Sequence, residues 1–350
     1  MADFTSSAAA GPAPATLRRE LGKWDLTAIG VNQVIGSAVF AVPGILAASV
    51  GGWSPWLVAA VAAASLLIAL CFAEAASRFE GTGGPYLFTR AAFGRFAAFE
   101  VGWMLWFTRA TSWASVINVL VAGLGFYAPV LTTGLPRAAI ITGIIAAIAA
   151  INVLGIRLSA AVVNAFTIGK LLPLVIFIGV GIAFIEPARL QPAGSVAFSS
   201  LASSALLLIF TFGGYEVVPV PAGEAKDPRA AVPFALVMTI VIVAAVTIMV
   251  QVVALGVHPD LGTSLRTPLA DTAGLIMGAA GSALLTIGVL VSTSGNNLGQ
   301  ALSGSRNLFA LAEQRDLPAA FGYVHPRFRP GRLAQLPPPG PLRQRTCGPR

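Results

Sequence analysis

The chain has 350 residues, of which 56% are hydrophobic and only 10% are charged. A soluble domain carries about 25% charged residues, so this composition excludes an ordinary soluble protein and indicates an integral membrane protein. The net charge of +8 does not indicate a nucleic-acid partner, because the basic residues lie between apolar segments and not in one patch. With two His and two Cys, neither a metal or haem centre nor a disulfide framework is favoured, and we expect no cofactor.

The two ends of the chain differ from its apolar middle. Residues 1–23 are rich in Ala, Ser and Pro and lack the basic and apolar regions of a cleavable signal, so we expect them to be disordered. Residues 317–350 form a tail rich in Pro and Arg, a composition that cannot bury a core. We expect this tail, from about Arg329, to reflect a frameshift or a truncated reading frame.

Between these ends, a membrane domain is predicted over 24–316. A helix that spans about 30 Å of hydrocarbon needs about 20 residues. Eight segments qualify: 26–50, 53–77, 96–127, 138–155, 159–185, 200–221, 233–257 and 274–312. A loop rich in Gly is expected over 77–95. The sequence therefore predicts an all-α membrane protein that crosses the bilayer several times.

The orientation follows from Lys and Arg in the short loops. Most of them lie on the side that carries the N-terminus, and the other side carries only Arg137, Arg189 and Arg266. Because positive loops stay inside, we expect a cytoplasmic N-terminus.

Two apolar segments carry Gly at corresponding places near the middle of the membrane. The first contains Ile35-Gly36-Ser37-Ala38, and the second contains Phe212-Gly213-Gly214-Tyr215-Glu216. Unwound backbone inside a membrane is tolerated only where protein buries it or where it lines a cavity. A matched pair of Gly-interrupted segments is typical of a transporter's substrate site. The alternative is that these small residues only allow helices to pack closely.

Three charged residues lie at a similar depth. A Lys at a helix centre costs about 2.5–3.5 kcal/mol, so Lys170 should face the interior, where it is a candidate proton carrier; snorkelling is the alternative. Arg109 cannot release its proton, so it is expected to supply a fixed charge, to an anionic substrate or to Glu216, or to form a structural salt bridge. Glu216 could accept from loose backbone, hold an ammonium group or balance Arg109.

Hydroxyl groups of the eighth segment are further candidates. Ser292, Thr293 and Ser294 could line a pocket for an ion or for Lys170, although serines often bond to their own helix backbone. We count Ser292 and Ser294 with Lys170 as coupling residues.

Several motifs resemble the amino acid–polyamine–organocation family of permeases. They are Ile35-Gly36-Ser37-Ala38-Val39-Phe40, Gly83-Gly84-Pro85-Tyr86 with Phe93-Gly94, Ala222-Gly223-Glu224 with Pro228 and Pro233, Ser305-Arg306, and Leu317-Pro318. The resemblance covers about 26–328. It departs from the family at Ala38 and Val39, which replace a Gly and an Ile, and at Glu80, which replaces a Pro.

The resemblance implies a LeuT-type inverted-repeat fold, with a first repeat over about 26–185 and a partial second repeat over about 200–312. Eight helices would make this fold incomplete, because the family has 10–12. It also implies a substrate site between the first and sixth helices. In some members a Lys on the fifth helix stands in place of a sodium ion, and Lys170 fits that position.

The expected function is therefore a permease of the cell membrane that moves amino acids or related amines, coupled to protons or by exchange. Its partners would be the small-molecule substrate, protons and the lipid bilayer. The alternative is a truncated fragment or accessory membrane protein that does not transport. An ion channel is disfavoured because no ring of acidic residues is visible. An enzyme is not expected, because the few carboxylates and His form no catalytic set.

Overall fold

A computed structural model describes residues 17–125, 128–192 and 194–323. Within these residues the chain forms nine α-helices joined by short loops and 3-10 turns. The helices are α1 Lys23–Val34, α2 Ala38–Val50, α3 Ser54–Ala76, α4 Pro85–Gly125, α5 Gly134–Val153, α6 Ile156–Gly181, α7 Phe198–Phe212, α8 Pro228–Val257 and α9 Pro268–Glu313. An all-α membrane protein is thus confirmed.

Six helical stretches are long and apolar enough to cross a membrane. They are Ala38–Ala76, Gly134–Val153, Ile156–Phe184, Phe198–Val217, Pro228–Val257 and Pro268–Glu313. The first stretch joins α2 and α3 through the 3-10 turn Gly51–Trp53. α1, with only 12 residues, and α4 are not among the six. The expected number of eight crossings therefore stays a prediction.

The segment expected as a loop over 77–95 is partly helical. α4 begins at Pro85 and continues to Gly125 through a kink at Gly94, whose φ of 83° is outside the helical range. Pro is favoured at the first position of a helix because its missing N–H has no partner there anyway. α9 has a similar kink at Gly278, with φ 63°. Glycine is needed at both kinks because other residues rarely adopt a positive φ.

The helices around the two breaks form the interior of the bundle. α1 packs against α6, α8 and α9, and α4 packs against α9. α8 is the most interior of the six apolar stretches, with 56% of its apolar window buried, whereas α5 lies at the periphery with 6%. The interior position of α1 places its interrupted end among protein, not lipid.

The N-terminal segment is ordered from residue 17 in the described part of the chain. The backbone N–H groups of Glu20 and Leu21 both donate to the Glu224 carbonyl at 2.9 Å, and Lys226 N–H donates to Leu21 O at 2.9 Å. Leu21 is 1% exposed. The expected disorder therefore does not extend to residues 17–23. The remaining part of that prediction, 1–16, lies outside the described residues, as do 324–350 of the predicted tail.

Ion pairs close the surface on which this N-terminal segment lies, which we call the N-terminal face. The Asp316 carboxylate accepts from Tyr86 Oη at 2.6 Å, Arg90 Nη1 at 2.7 Å and Arg95 Nε at 2.5 Å. Burial works against ionisation of this carboxyl, but the Tyr86 and Arg95 hydrogen bonds and the two guanidinium charges hold the pKa of Asp316 below its usual range. We call Tyr86, Arg90, Arg95 and Asp316 the Asp316 cluster.

A second ion pair joins the N-terminal segment to α9 on the same face. Glu224 receives Arg306 Nε at 3.0 Å and Arg306 Nη2 at 3.2 Å, while its carbonyl holds the N-terminal segment. Their side chains are only 12% and 5% exposed for Arg306 and Glu224. A two-point pair of this kind fixes orientation as well as distance.

Candidate functional site

The helix interruption expected at Ile35-Gly36-Ser37-Ala38 is present between α1 and α2. α1 ends at Val34, and α2 begins at Ala38 with Ser37 as its N-cap. Gly36 N–H donates to Val34 O at 2.9 Å, and Phe40 N–H donates to Ser37 O at 3.1 Å. In a continuous helix these two groups would have bonded to the carbonyls of Asn32 and Gly36, four residues earlier. The interruption thus leaves carbonyl oxygens that need other donors.

The ammonium of Lys170, on α6, supplies several of those donors. Its Nζ lies 3.0 Å from Asn32 O, 2.7 Å from Ile35 O and 3.2 Å from Ser292 O on α9. Lys170 is 0% exposed, so it faces the interior and does not snorkel. An ammonium has three donors and no acceptor, and here the three donors meet three carbonyl oxygens.

Of the two predicted serines, only Ser292 reaches the break. Its hydroxyl lies 3.1 Å from Ile35 O and 3.0 Å from Gly36 O. The Ser294 hydroxyl donates instead to Leu290 O of its own helix at 2.8 Å, and Thr293 likewise bonds to Val289 O. The structure therefore does not bring Ser294 into contact with Lys170, because its position on α9 points its hydroxyl along the helix.

The second interruption follows the end of α7 at Phe212. Gly214 has φ 119°, and a Cβ there would lie 3.0 Å from the Gln33 carbonyl carbon and oxygen. Both the backbone angle and the close approach require glycine at this position. The Gly214 contact brings the two interruptions together, since Gln33 belongs to the end of α1. Phe212 is buried at 1%, and Gly213 is exposed.

No α-helix forms again directly after this break, which differs from the single broken span expected over 200–221. Short 3-10 turns follow at Tyr215–Val217 and Ala222–Glu224. Pro219 and Pro221 lie between them. Proline lacks the N–H that a helix interior requires, which explains why the segment stays irregular.

Arg109 and Glu216 form an ion pair across the second break. Arg109 Nη2, on α4, lies 2.6 Å from Glu216 Oε1. The other carboxylate oxygen accepts the backbone N–H of Gly214 at 2.7 Å. The side chains are 9% exposed for Arg109 and 24% for Glu216. Glu216 therefore accepts from loose backbone and balances Arg109 at the same time, which were two of its three expected roles.

A line of amide side chains connects this ion pair to the first break. Arg109 Nη1 lies 3.3 Å from Gln300 Oε1, and Gln300 Nε2 lies 3.4 Å from Asn296 Oδ1. Asn296 Nδ2 then donates to Gln33 O at 3.1 Å. A Cβ on Gly36 would lie 3.7 Å from the same Asn296 nitrogen. Residues of four helices and both breaks thus form one polar network, which we call the mid-membrane network.

Sequence reasoning missed the four amides of this region: Asn32, Gln33, Asn296 and Gln300. Asn32 Nδ2 donates to Gly295 O at 2.7 Å, and Gln33 Nε2 donates to Asn296 O at 3.2 Å. A signal was available, because Asn296 and Gln300 are four residues apart and lie on one face of α9. Polar amides within apolar spans also commonly bond across helices.

A polar seam between α1 and α6 leads from this site toward the N-terminal face. Asn164 Nδ2 donates to Asp25 Oδ1 at 2.7 Å, and the Thr167 hydroxyl lies 3.2 Å from Ala28 O. Lys170 continues the same side of α6, three residues after Thr167. These contacts align α1 along α6 up to the point at which α1 is interrupted.

Other candidate sites lie elsewhere or are not found in the described part of the chain. A cavity of about 730 Å³ lies at the N-terminal face, and it shares no lining residue with the two breaks. Among the described residues, no group of three or more His, Cys, Asp or Glu is placed to hold a metal ion.

The chain matches known transporters over most of its length. The family model described as "Amino acid permease" matches residues 21–333. The chain is 29% identical to the branched-chain amino acid permease BcaP of Bacillus subtilis, over 90% of this chain and 71% of that protein. It is 27% identical to the methylthioribose transporter of the same organism, over 90% and 71%. It is also 30% identical to human cationic amino acid transporter 4, over 89% of this chain and 52% of that protein. The chain belongs to the amino acid permease family.

Proposed function

We propose that this permease moves amino acids or related amines across the cell membrane by alternating access, coupled to protons through Lys170. The observation that carries the proposal is the contact between the Lys170 ammonium and the interrupted end of α1. A buried ionisable group that contacts unwound backbone at mid-membrane depth marks a functional site in a transporter.

The two breaks offer complementary groups to a zwitterionic substrate. Ser37 and Ala38 stand at the start of α2, where unpaired N–H groups and the positive end of the helix dipole favour a carboxylate. Gly36 and Gly213 add no side chain, which leaves room beside the backbone. Gly36, Ser37 and Ala38 are half-buried and Gly213 is exposed, whereas Ile35 and Phe212 are buried.

The hydrogen bonds of Lys170 suggest how a proton would act on the protein. A protonated amine can donate to all three carbonyls of Asn32, Ile35 and Ser292, which belong to α1, its interrupted end and α9. A neutral amine has one donor fewer, so loss of the proton would weaken the contact that joins α6, α1 and α9. Proton release would in this way favour movement of α1.

The closed N-terminal face supports an assignment of state. The Asp316 cluster and the Arg306–Glu224 pair hold that face together. With the N-terminus in the cytoplasm, as the loop charges predict, the structure would represent a state closed toward the cytoplasm. These ion pairs would separate when the substrate leaves to that side.

Uptake by purified protein in proteoliposomes tests this proposal. We expect saturable uptake of at least one radiolabelled amino acid, and faster uptake when an inward proton gradient is imposed. Liposomes without protein and liposomes with an ionophore that collapses the gradient are the controls. If no amino acid is taken up with or without the gradient, the proposed transport is wrong, and a fragment that does not transport becomes the better description.

A further inference from the structure

We propose that the Arg109–Glu216 ion pair sets the charge of the substrate that this permease accepts, and that it selects amino acids with uncharged side chains. This inference rests on the proposed function, because it concerns the same site. The names of the relatives do not decide the question, since one of them is named for branched-chain and another for cationic amino acids.

The first step is the charge of the site itself. Arg109 and Glu216 contact each other at 2.6 Å, so their opposite charges cancel where the second break meets α4. The third charge at this depth, Lys170, contacts three backbone carbonyls at the first break. Its hydrogen bonds are therefore independent of the Arg109–Glu216 pair.

The second step is that neither partner is free to receive a charged side chain. Both oxygens of Glu216 are used, one by Arg109 and one by Gly214 N–H. Two nitrogens of Arg109 are used by Glu216 and Gln300. An acidic side chain would compete with Glu216 for Arg109, and a basic one would compete with Arg109 for Glu216. Either would leave one buried charge without its partner, which is strongly unfavourable.

The third step is that the pair is placed where a substrate can reach it. Glu216 keeps 24% of its side chain exposed although Val217 and Val218 beside it are buried. Gly213, three residues earlier, is exposed as well. Through Gln300 and Asn296 the pair also connects to the Gln33 carbonyl at the first break. A substrate seated between the breaks would lie beside an ion pair and not beside a single charge.

The pair therefore predicts opposite changes for its two neutral variants. In Arg109→Gln, Glu216 remains without its counter-ion, so we expect cationic amino acids to gain relative to neutral ones. In Glu216→Gln, Arg109 remains, and we expect anionic amino acids to gain. The ratio should change by on the order of tenfold in each case. The double variant Arg109→Gln/Glu216→Gln removes both charges and should return toward neutral substrates.

The experiment is competition for uptake in proteoliposomes, with leucine, serine, lysine and glutamate as competitors for a labelled amino acid that the wild-type protein carries. Matched controls are Arg229→Gln and Glu80→Gln, because this pair has a similar separation of 3.0 Å but lies on the surface. Size-exclusion profiles in detergent identify variants that do not fold. The double variant keeps the test decisive in that case, because it leaves no isolated buried charge.

Opposite shifts in the two single variants, with recovery in the double variant and no shift in the controls, would support the inference. Shifts in the same direction would overturn it, because a purely structural ion pair would weaken every substrate alike. Wild-type preference for lysine or glutamate over leucine and serine would also overturn it, although transport itself would stand. Absence of all uptake would instead overturn the proposed function, and this inference with it.

Discussion

The Lys170 ammonium lies 2.7 Å from the carbonyl oxygen of Ile35, the residue at which α1 ceases to be helical. The carbonyl is available because no residue of a continuous helix follows to donate to it. The Ser292 hydroxyl lies 3.1 Å from the same oxygen. The interrupted backbone and the buried charge therefore satisfy each other, and this mutual dependence leads to the predictions below.

Replacement of the ammonium should separate transport from the proton gradient. In Lys170→Ala three charge-assisted hydrogen bonds are lost, and such bonds are worth about 1.5–3 kcal/mol each. We expect uptake driven by an imposed pH gradient to fall by roughly tenfold or more, whereas exchange of internal for external substrate continues. Counterflow and gradient-driven uptake in the same proteoliposomes measure the two activities. Gradient-driven uptake equal to wild type would rule out the coupling role of Lys170.

Two serines of α9 provide a matched pair of variants. Ser292→Ala removes a hydroxyl that contacts the carbonyls of Ile35 and Gly36, whereas Ser294→Ala removes one that bonds only to its own helix. We expect a loss of about 1 kcal/mol for Ser292→Ala and within about 0.5 kcal/mol for Ser294→Ala. Thermal unfolding in detergent, with substrate affinity as a second reading, compares them. Equal effects would mean that the Ser292 contact contributes nothing specific.

The glycines of the two breaks should differ in what they require. Gly214→Ala places a Cβ 3.0 Å from Gln33 backbone at a φ of 119°, so we expect a loss of about 1–3 kcal/mol in stability. A Cβ on Gly36 meets nothing closer than 3.7 Å, so Gly36→Ala should fold normally. The larger Gly36→Leu should fill the space beside the break and abolish substrate binding.

Thermal unfolding and binding of a transported amino acid distinguish these three variants. Normal affinity in Gly36→Leu would place the substrate elsewhere. The same variant at Gly213, Gly213→Leu, should also lose binding, since Gly213 is the exposed residue of the second break. If both leucine variants bind normally, neither interruption lines the substrate site.

The Asp316 cluster should be insensitive to pH over the physiological range. The folded pKa of Asp316 is lowered from about 3.9, so its stabilisation is complete above that unfolded value and is lost only as the pH falls through the lower folded one. Burial and the Asp316 contact raise the pKa of Tyr86, so its phenol also stays protonated. Asp316→Asn should therefore destabilise the protein by about 2 kcal/mol equally at pH 5.5 and pH 8.

Thermal unfolding of Asp316→Asn and wild type at the two pH values checks this prediction. Glu80→Gln serves as the control, because Glu80 forms exposed ion pairs with Arg19 and Arg229 that contribute little. A destabilisation at pH 8 that disappears at pH 5.5 would show that the carboxyl titrates within this range. The cluster could then act as a pH-dependent latch, contrary to our expectation.

Much of the site could be predicted from local features of the sequence. Glycine within an apolar span indicates an interruption, and the interruption at Gly36 is where the sequence placed it. Lysine within an apolar span must face protein, and Lys170 is fully buried. The region over 77–95 was misread because Gly83 and Gly84 suggested only a loop, whereas Pro85 begins a helix. Local patterns thus indicated where the chain is unusual, but not always how it continues.

Composition and hydropathy by themselves determined that this is a helical membrane protein with two interrupted segments, because burial of backbone in lipid constrains each segment separately. Only the tertiary structure decided which groups meet. Asn32 and Ser292 are 260 positions apart in sequence (292 − 32), yet their carbonyls share one ammonium, and Ser294, two residues further, takes no part. Hydropathy does not encode such pairings, because they depend on how α1, α6 and α9 rotate and pack against one another.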